Sequence, residues 1–390
     1  MFRLFLSVVR PQHVLVAVIV ALLLLATLSS SRPEPAFAAG SCDPLRPHAT
    51  GNFPDETITT LDGLTREYIL TVPSSYDGSV ATPLVFNFHG FGSQAIEQDV
   101  YSQLPQTAEA EGFILVTPQG TLNAQGQRFW NSSQSPPPVP DDVGFVDQLL
   151  TSLQSQLCID AARVFSTGLS NGGFMSSRLA CVLSGRIAAI APVAGTVFYG
   201  SCDARPVPVI AFHGTEDNVV SLSPIETIAI PAWATHNSCG GPVEQNPVPP
   251  TTGVRLTRYD GCDEDATVEL YVIFDVDTVT AGDQGGGHTW PGSTLVLPPA
   301  IKAALGQTTL EISANDLMWD FFLAHPHPLL PKIVGGLFTN LDGEQAASPL
   351  ETTGSLGNST GLLAGTIAAI AALAVTLTGA AWYARRRWTR

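Results

Sequence analysis

Between Arg66 and Leu323 short apolar runs alternate with longer stretches whose apolar residues recur at helical spacing. The short runs are rich in β-branched and aromatic residues and end in turn-forming positions, so they read as strands; the amphipathic stretches between them read as helices. Strands are expected at Tyr68–Val72, Leu84–Phe88, Ile114–Thr117, Val164–Thr167, Ala188–Ala191, Val207–Phe212 and Val268–Ile273. Helices are expected at Ala95–Glu111, Val143–Leu157, Asn171–Leu183, Ile225–His236 and Ala314–Leu323, the last opening with Ser313 three residues before Asp316, a capping-box spacing. Alternation of this kind predicts an α/β fold, a mostly parallel sheet with helices on both faces.

The two ends follow different patterns. Arg3 and Arg10 precede an uncharged run, Val14 to Leu28, and Ala36-Phe37-Ala38 stands before Ala39, the layout of a secretory signal over residues 1–38, with an uncleaved anchor as the alternative. Gly361 to Tyr383 is 23 residues without a charge. At about 1.5 Å per residue that is enough to cross a hydrocarbon core of about 30 Å. Arg385, Arg386, Arg387 and Arg390 follow, which by the positive-inside rule keeps residues 384–390 cytoplasmic and turns residues 39–360 outward. Leu350-Glu351-Thr352-Thr353-Gly354 offers a second reading, a cell-wall sorting signal of the L-P-x-T-G type with Glu351 in place of proline. The expected layout is a signal peptide (1–38), a folded domain (39–326), a Gly-, Ser-, Thr- and Pro-containing stalk (327–360), a transmembrane helix (361–383) and a basic tail (384–390). Either reading of the C-terminal end leaves the domain extracellular and tethered to membrane or cell wall.

Setting the ends aside sharpens the charge. Residues 39–360 hold 11 basic and 33 acidic residues, a net charge of −22. Such a surface repels phosphate backbones, so nucleic acid is excluded as a partner and an acidic polymer is a poor substrate. Six cysteines, Cys42, Cys158, Cys181, Cys202, Cys239 and Cys262, all fall in this part. An even number facing an oxidising compartment points to disulfides, and their places along the strand pattern favour Cys42–Cys158, Cys181–Cys202 and Cys239–Cys262 among fifteen connectivities. No CxxC spacing indicates a zinc or redox site.

The expected strand Val164–Thr167 runs into Gly168-Leu169-Ser170-Asn171-Gly172-Gly173 and then into a helix. This is G-x-S-x-G in the strand–turn–helix setting that gives it meaning, with Ser170 Oγ thrust up at a helix N-terminus as a nucleophile. Serine needs a base, and the base needs an orienting carboxylate. Asp217 follows the strand Val207–Phe212 in His213-Gly214-Thr215-Glu216-Asp217, with Glu216 as its rival. His288, in Gly285-Gly286-Gly287-His288-Thr289-Trp290, is the expected base; His325 and His327 come later, in a Pro-containing exit. His89-Gly90-Phe91-Gly92 after Leu84–Phe88 has the place of an oxyanion loop. Phe91, or failing it Gly90, supplies one backbone N–H and Asn171 the other, while His89 reads as a structural histidine, as does the matching His213. Phe91, Phe129, Trp130 and Trp290 are the aromatic residues near these loops, and Trp290 and Trp130 are the candidates for lining the substrate. No P-loop, GxGxxG or HExxH is present, so neither cofactor nor metal is expected.

The segments FNFHGFGS, GFILVTPQGT, FWN, DDVGFVDQLL, CIDAARVFSTGLSNGGFMSSRLAC, RIAAIAPVAG, RPVPVIAFHGTEDNVV and GGGHTWPG, with the final helix, resemble the secreted poly(3-hydroxybutyrate) depolymerase and feruloyl esterase-like family of α/β-hydrolases, over about residues 55–325. The resemblance implies the α/β-hydrolase fold and a cofactor-free serine esterase acting on polyhydroxybutyrate-type polyester or on feruloyl or acetyl groups of plant cell-wall polysaccharide. It carries the nucleophile role to Ser170, the acid to Asp217 and the base to His288. Two departures stand out: Phe274 to Gln284 looks inserted ahead of the His288 loop, and a C-terminal anchor is unusual in a family usually released as soluble enzyme. A surface peptidase of the same fold and a non-catalytic adhesion module are the alternative functions.

Overall fold

A computed structural model describes residues 40–328, apart from 134–138, 201, 203, 252 and 275–285. The expected signal peptide, transmembrane helix, basic tail, sorting signal and nearly all of the stalk lie outside the described residues, as does the apparent insertion beyond Phe274. Among the described residues no helix is long and apolar enough to cross a membrane.

In chain order the strands are β1 (Gly51–Thr59), β2 (Thr65–Val72), β3 (Thr82–Phe88), β4 (Ile114–Pro118), the short β5 (Thr121–Leu122) and β6 (Arg128–Phe129), β7 (Ile159–Leu169), β8 (Ala189–Val193), β9 (Val209–Gly214), β10 (Pro242–Gln245), β11 (Val254–Tyr259) and β12 (Val268–Ile273). The helices are α1 (Ala95–Ser102), α2 (Leu104–Glu111), α3 (Asp142–Gln156), α4 (Asn171–Val182), α5 (Ile230–His236), α6 (Pro299–Leu305) and α7 (Ala314–Ala324), with a π-helical turn, Ile225–Ala229, leading into α5. One sheet runs in the order β1-β2-β4-β3-β7-β8-β9-β12-β11-β10. Its centre, β4 through β12, is parallel. The pairs at its two edges are antiparallel. Strands β5 and β6 form a separate hairpin.

Successive side chains of a strand face opposite sides, so a strand buried on both faces is apolar throughout. In β3, Leu84, Phe86 and Phe88 join one core layer with Val146 and Leu149 of α3, Met175 and Leu179 of α4 and Trp233 of α5. Val85 joins the other, with Leu104 and Ala108 of α2 and Met318, Trp319 and Phe322 of α7. Helices therefore cover both faces, as the pattern predicts. The expected helix Ala95–Glu111 divides at Gln103, which is left-handed (φ 56°). Pro105 in the first turn of α2 has no N–H to continue the first helix. Strands β1, β5, β6, β10 and β11 and helix α6 were not expected. The edge strands β1 and β10 are mostly exposed on both sides and carry no apolar alternation.

All three disulfides pair as the strand pattern suggests: Cys42–Cys158, Cys181–Cys202 and Cys239–Cys262. Two polar groups are built into the interior. Arg66 of β2 meets Asp142 of α3 at 2.6 Å, both side chains buried, and lies over the Phe145 ring. Asp99 of α1 accepts from Thr117 (2.6 Å) and Asn87 (3.2 Å) through Oδ1, while its Oδ2 meets no donor. Burial, only partly offset by those two bonds, pushes the Asp99 carboxyl up to about 6.

That shift sets a sign. An aspartate unfolded near pKa 3.9 and folded near 6 binds more protons when folded, so its contribution to stability falls as pH rises from about 4 to about 6 and is level above. Asp99→Asn removes the titration. The stability of the wild type relative to this variant, from urea unfolding at pH 4 and pH 7, is expected to drop by on the order of 2 kcal/mol; a flat difference would place the proton elsewhere.

Candidate active site

Strand β7 turns into α4 at Ser170, whose backbone sits at φ 58°, ψ −118°. An L-residue pays strain there, and two hydrogen bonds hold it: Ser170 N–H to Val193 O (2.9 Å) and Phe174 N–H to Ser170 O (3.0 Å). The flanking glycines are steric necessities. A Cβ at Gly168 would lie 2.5 Å from Phe88 O, and one at Gly172 would overlap the same carbonyl. The turn is thus pressed against the end of β3, and the next loop lies on Ser170 itself, with an added Cβ at Gly90 only 3.5 Å from Ser170 Cβ.

His89 organises that loop. Its ring is buried, Nδ1–H donates to Gly90 O (2.8 Å), and Nε2 accepts from Gly120 N–H (2.9 Å). A carbonyl on one side and an N–H on the other define one neutral tautomer. Burial pushes the ring down to about 4, so it stays neutral. In a trans peptide C=O and N–H point opposite ways, so anchoring Gly90 O also aims the Phe91 N–H. Asn171, first residue of α4, offers its N–H at a helix N-terminus, and its side chain is fixed by Trp130 N–H (2.7 Å) and Trp130 O (3.2 Å). Trp130 Nε1 donates in turn to His89 O (2.9 Å). The next residue, Asn131, donates N–H to Asp142 Oδ2 (2.7 Å), so the buried ion pair with Arg66 also pins this loop.

Strand β9 ends two places along the sheet from β7, across β8, at the same carboxyl edge. Asp217 follows it with no exposed side-chain surface. Its Oδ1 accepts from Val219 N–H (2.9 Å) and Val220 N–H (2.8 Å), and His288 Nδ1–H donates to Oδ2 at 2.7 Å. Burial alone would raise this carboxyl; the bond and charge of His288 and the two amides outweigh it and leave Asp217 below its ordinary range. His288 is held by its own N–H to Leu305 O (2.5 Å). Asp217 and His288 are thus joined directly, while no hydrogen bond links Ser170 to His288 in this structure; such bonds often tighten only with substrate present.

The rivals fall elsewhere. Glu216 is exposed and only its backbone engages the His288 loop, through Gly286 O. His325 bonds Phe321 O and Thr267, and His327 bonds Ser184 O, both at the amino edge of the sheet, away from Ser170. Trp130 and Trp290, expected to line the substrate, are each only 2% exposed. Trp290 packs in the second core layer with Nε1–H on Asn315 Oδ1 (2.8 Å), and Trp130 is an internal brace; in each case a buried acceptor for the indole N–H makes the interior the better place. Phe91 is 53% exposed and is the large aromatic side chain presented by the loop after β3. The sequence reading missed one contact: His213 Nε2 lies 3.3 Å from Asp217 Oδ2. The only signal was its spacing, four residues ahead of the acid.

No family model matches the chain. Curated proteins do. The chain is 32% identical over 243 residues to feruloyl esterase B of Piromyces equi, covering 57% of this chain and 42% of that protein, so it spans less than half of that relative's length. It is 31% identical over 252 residues to feruloyl esterase D of Neurospora crassa, covering 61% of this chain and 80% of that protein. Among solved structures, acetyl xylan esterase from Aspergillus awamori superposes with a TM-score of 0.45 at 15% identity, covering 57% of this chain and 92% of that one. An identity of 31% maintained over four fifths of feruloyl esterase D settles the kinship: the chain belongs to the feruloyl esterase-like family of carboxylesterases, built on the α/β-hydrolase fold.

Proposed function

We propose that this protein is an extracellular serine ester hydrolase that removes feruloyl or acetyl groups from plant cell-wall polysaccharide, working while tethered at its C-terminal side. The observation that carries the reading is the buried Asp217–His288 pair at the sheet edge where Ser170 stands on its strained turn. In this mechanism Ser170 Oγ attacks the ester carbonyl as His288 Nε2 takes its proton. The negative charge on the carbonyl oxygen is met by the N–H groups of Phe91 and Asn171, and Asp217 steadies the imidazolium. Collapse expels the alcohol, which receives the proton from His288 and leaves the acyl group on Ser170. Water, deprotonated by His288, repeats the sequence and frees the acid.

The relatives named for feruloyl esters favour that acyl class over polyester. Three disulfides suit an oxidising compartment, which supports secretion. The outward orientation and the tether rest on the sequence pattern of residues 1–38 and 361–390.

The test is hydrolysis of methyl ferulate, p-nitrophenyl acetate and a dispersed hydroxybutyrate polyester by the purified protein, with Ser170→Ala alongside. Methyl ferulate is expected to be the better substrate and Ser170→Ala to be inert. Preference for the polyester would overturn the substrate assignment, and full activity in Ser170→Ala the mechanism. Loss of Ser170 or His288 is expected to lower kcat by about 10⁶-fold and loss of Asp217 by about 10⁴-fold. His89→Leu, which frees the Gly90–Phe91 peptide, is expected to lower kcat by about 10²-fold with little change in KM, because it weakens a donor used chiefly in the transition state.

A further inference from the structure

His213 is the last residue but one of β9, His89 directly follows β3, and the His213 ring is fully buried. Its Nε2 lies 2.8 Å from Val220 O and 3.3 Å from Asp217 Oδ2. Carbonyl and carboxylate oxygens only accept, so Nε2 carries the proton, hydrogen-bonded to Val220 O with Asp217 Oδ2 alongside. Nδ1 meets no partner among the described residues, and a proton placed there would be a buried donor with no acceptor among them. Both ends of the ring therefore point to one neutral tautomer. Burial, ahead of the opposing pull of Val220 O and Asp217, lowers the affinity of the ring for a second proton.

The two charged or titratable groups facing this ring are Asp217, on its own turn, and His288, from the loop after β12. The neighbouring strand β12 sets Val272 opposite it, and on the β8 side Ala194 N–H takes Phe212 O. Asp217 accepts three hydrogen bonds, two on Oδ1 and that of His288 on Oδ2, and His213 Nε2 stands 3.3 Å from the same Oδ2. An ionised carboxylate has about four lone-pair sites, so Oδ2 has room for a second donor.

We propose that His213 is a positioning residue of the catalytic apparatus: a second imidazole that offers its Nε2–H to Asp217 Oδ2 beside His288 and so fixes the carboxylate that orients the base. The proposal rests on the ester-hydrolase reading. The ring spans the turn from its first residue to Val220 and holds Asp217 in the middle. Its N–H also shares the negative charge of the oxygen that His288 faces. Without it the carboxylate draws harder on the His288 proton and is free to rotate, so the base holds its proton to higher pH and points less well at Ser170. KM does not depend on it, because His213 lies behind Asp217.

The test uses the full-length protein and two variants. His213→Gln keeps an amide N–H at the reach of Nε2 and cannot be charged; His213→Leu removes the donor. With methyl ferulate, His213→Gln is expected to keep kcat within a few-fold and leave the acid limb of the pH profile in place. His213→Leu is expected to lose about tenfold or more in kcat at unchanged KM, the scale seen when an outer partner of an oriented imidazole is removed, with the acid limb moved upward. Equal losses in both variants, or a wild-type profile in His213→Leu, would overturn the proposal. Imidazole ¹⁵N NMR on the wild type adds a readout independent of turnover and of how the variants fold: His213 is expected as the neutral Nε2–H tautomer from pH 7 to 9, and an Nδ1–H or doubly protonated ring across that range would overturn it. If the wild type cleaves no ester, the ester reading falls while the ¹⁵N spectrum still decides whether His213 donates to Asp217.

Discussion

The catalytic edge depends on how closely the start of α4 lies against the end of β3. Phe88 O sits where any side chain at Gly168 or Gly172 would have to go, and this contact leaves the chain between them no relaxed route. Ser170 takes up the strain with φ 58°, and the bond from its N–H to Val193 O ties the turn to β8. The same contact sets Gly90 against Ser170 Cβ and so decides where the Phe91 N–H lies relative to the nucleophile. Ser170 and the N–H groups of Phe91 and Asn171, the proposed nucleophile and oxyanion donors, are thus placed by one packing constraint beside parallel strands.

The second theme is a pair of strand-end histidines that stay neutral. His89 fixes a peptide whose N–H is needed; His213 touches the carboxylate that is needed. Both are buried, and burial keeps both from gaining charge. A lysine or arginine in either place would bring a net positive charge beside an oxyanion site or an acid–base pair. A neutral imidazole supplies directional donors without altering the local field by a full charge. Around them the Arg66–Asp142 pair reaches the site through Asn131 and Trp130, so a buried ion pair helps set loop geometry at some distance from the chemistry.

Much of this was legible in the residues. The six central strands are predominantly apolar because helices cover both faces, and that pattern does not depend on partners far along the chain. Ser170, Asp217 and His288 each follow a strand end or a glycine-rich turn, which made them visible one at a time. The edge strands were not visible: β1 and β10 are exposed on both sides and are strands only because a neighbour supplies backbone hydrogen bonds. Trp130 and Trp290 were misplaced for a related reason. Proximity in sequence to His288 or to a loop says nothing about whether an indole N–H has an interior acceptor, and Asn315 lies far from Trp290 along the chain. The contact of His213 with Asp217 depends on how the turn folds back, which spacing alone does not specify.

The described chain enters and leaves on the side away from the catalytic edge. Gly40 O accepts from Ala81 N–H just before β3, Cys42 is bonded to Cys158 just before β7, and His327 N–H is held by Ala162 O near the beginning of β7. Force applied through either end is delivered to the sheet's amino edge and carried along the strands, not through the loops that hold Ser170, Asp217 and His288. Under the proposed tether, a domain held this way would present the edge that carries Ser170 outward, like a brush mounted by its handle, and would reach an insoluble wall without the support coming between.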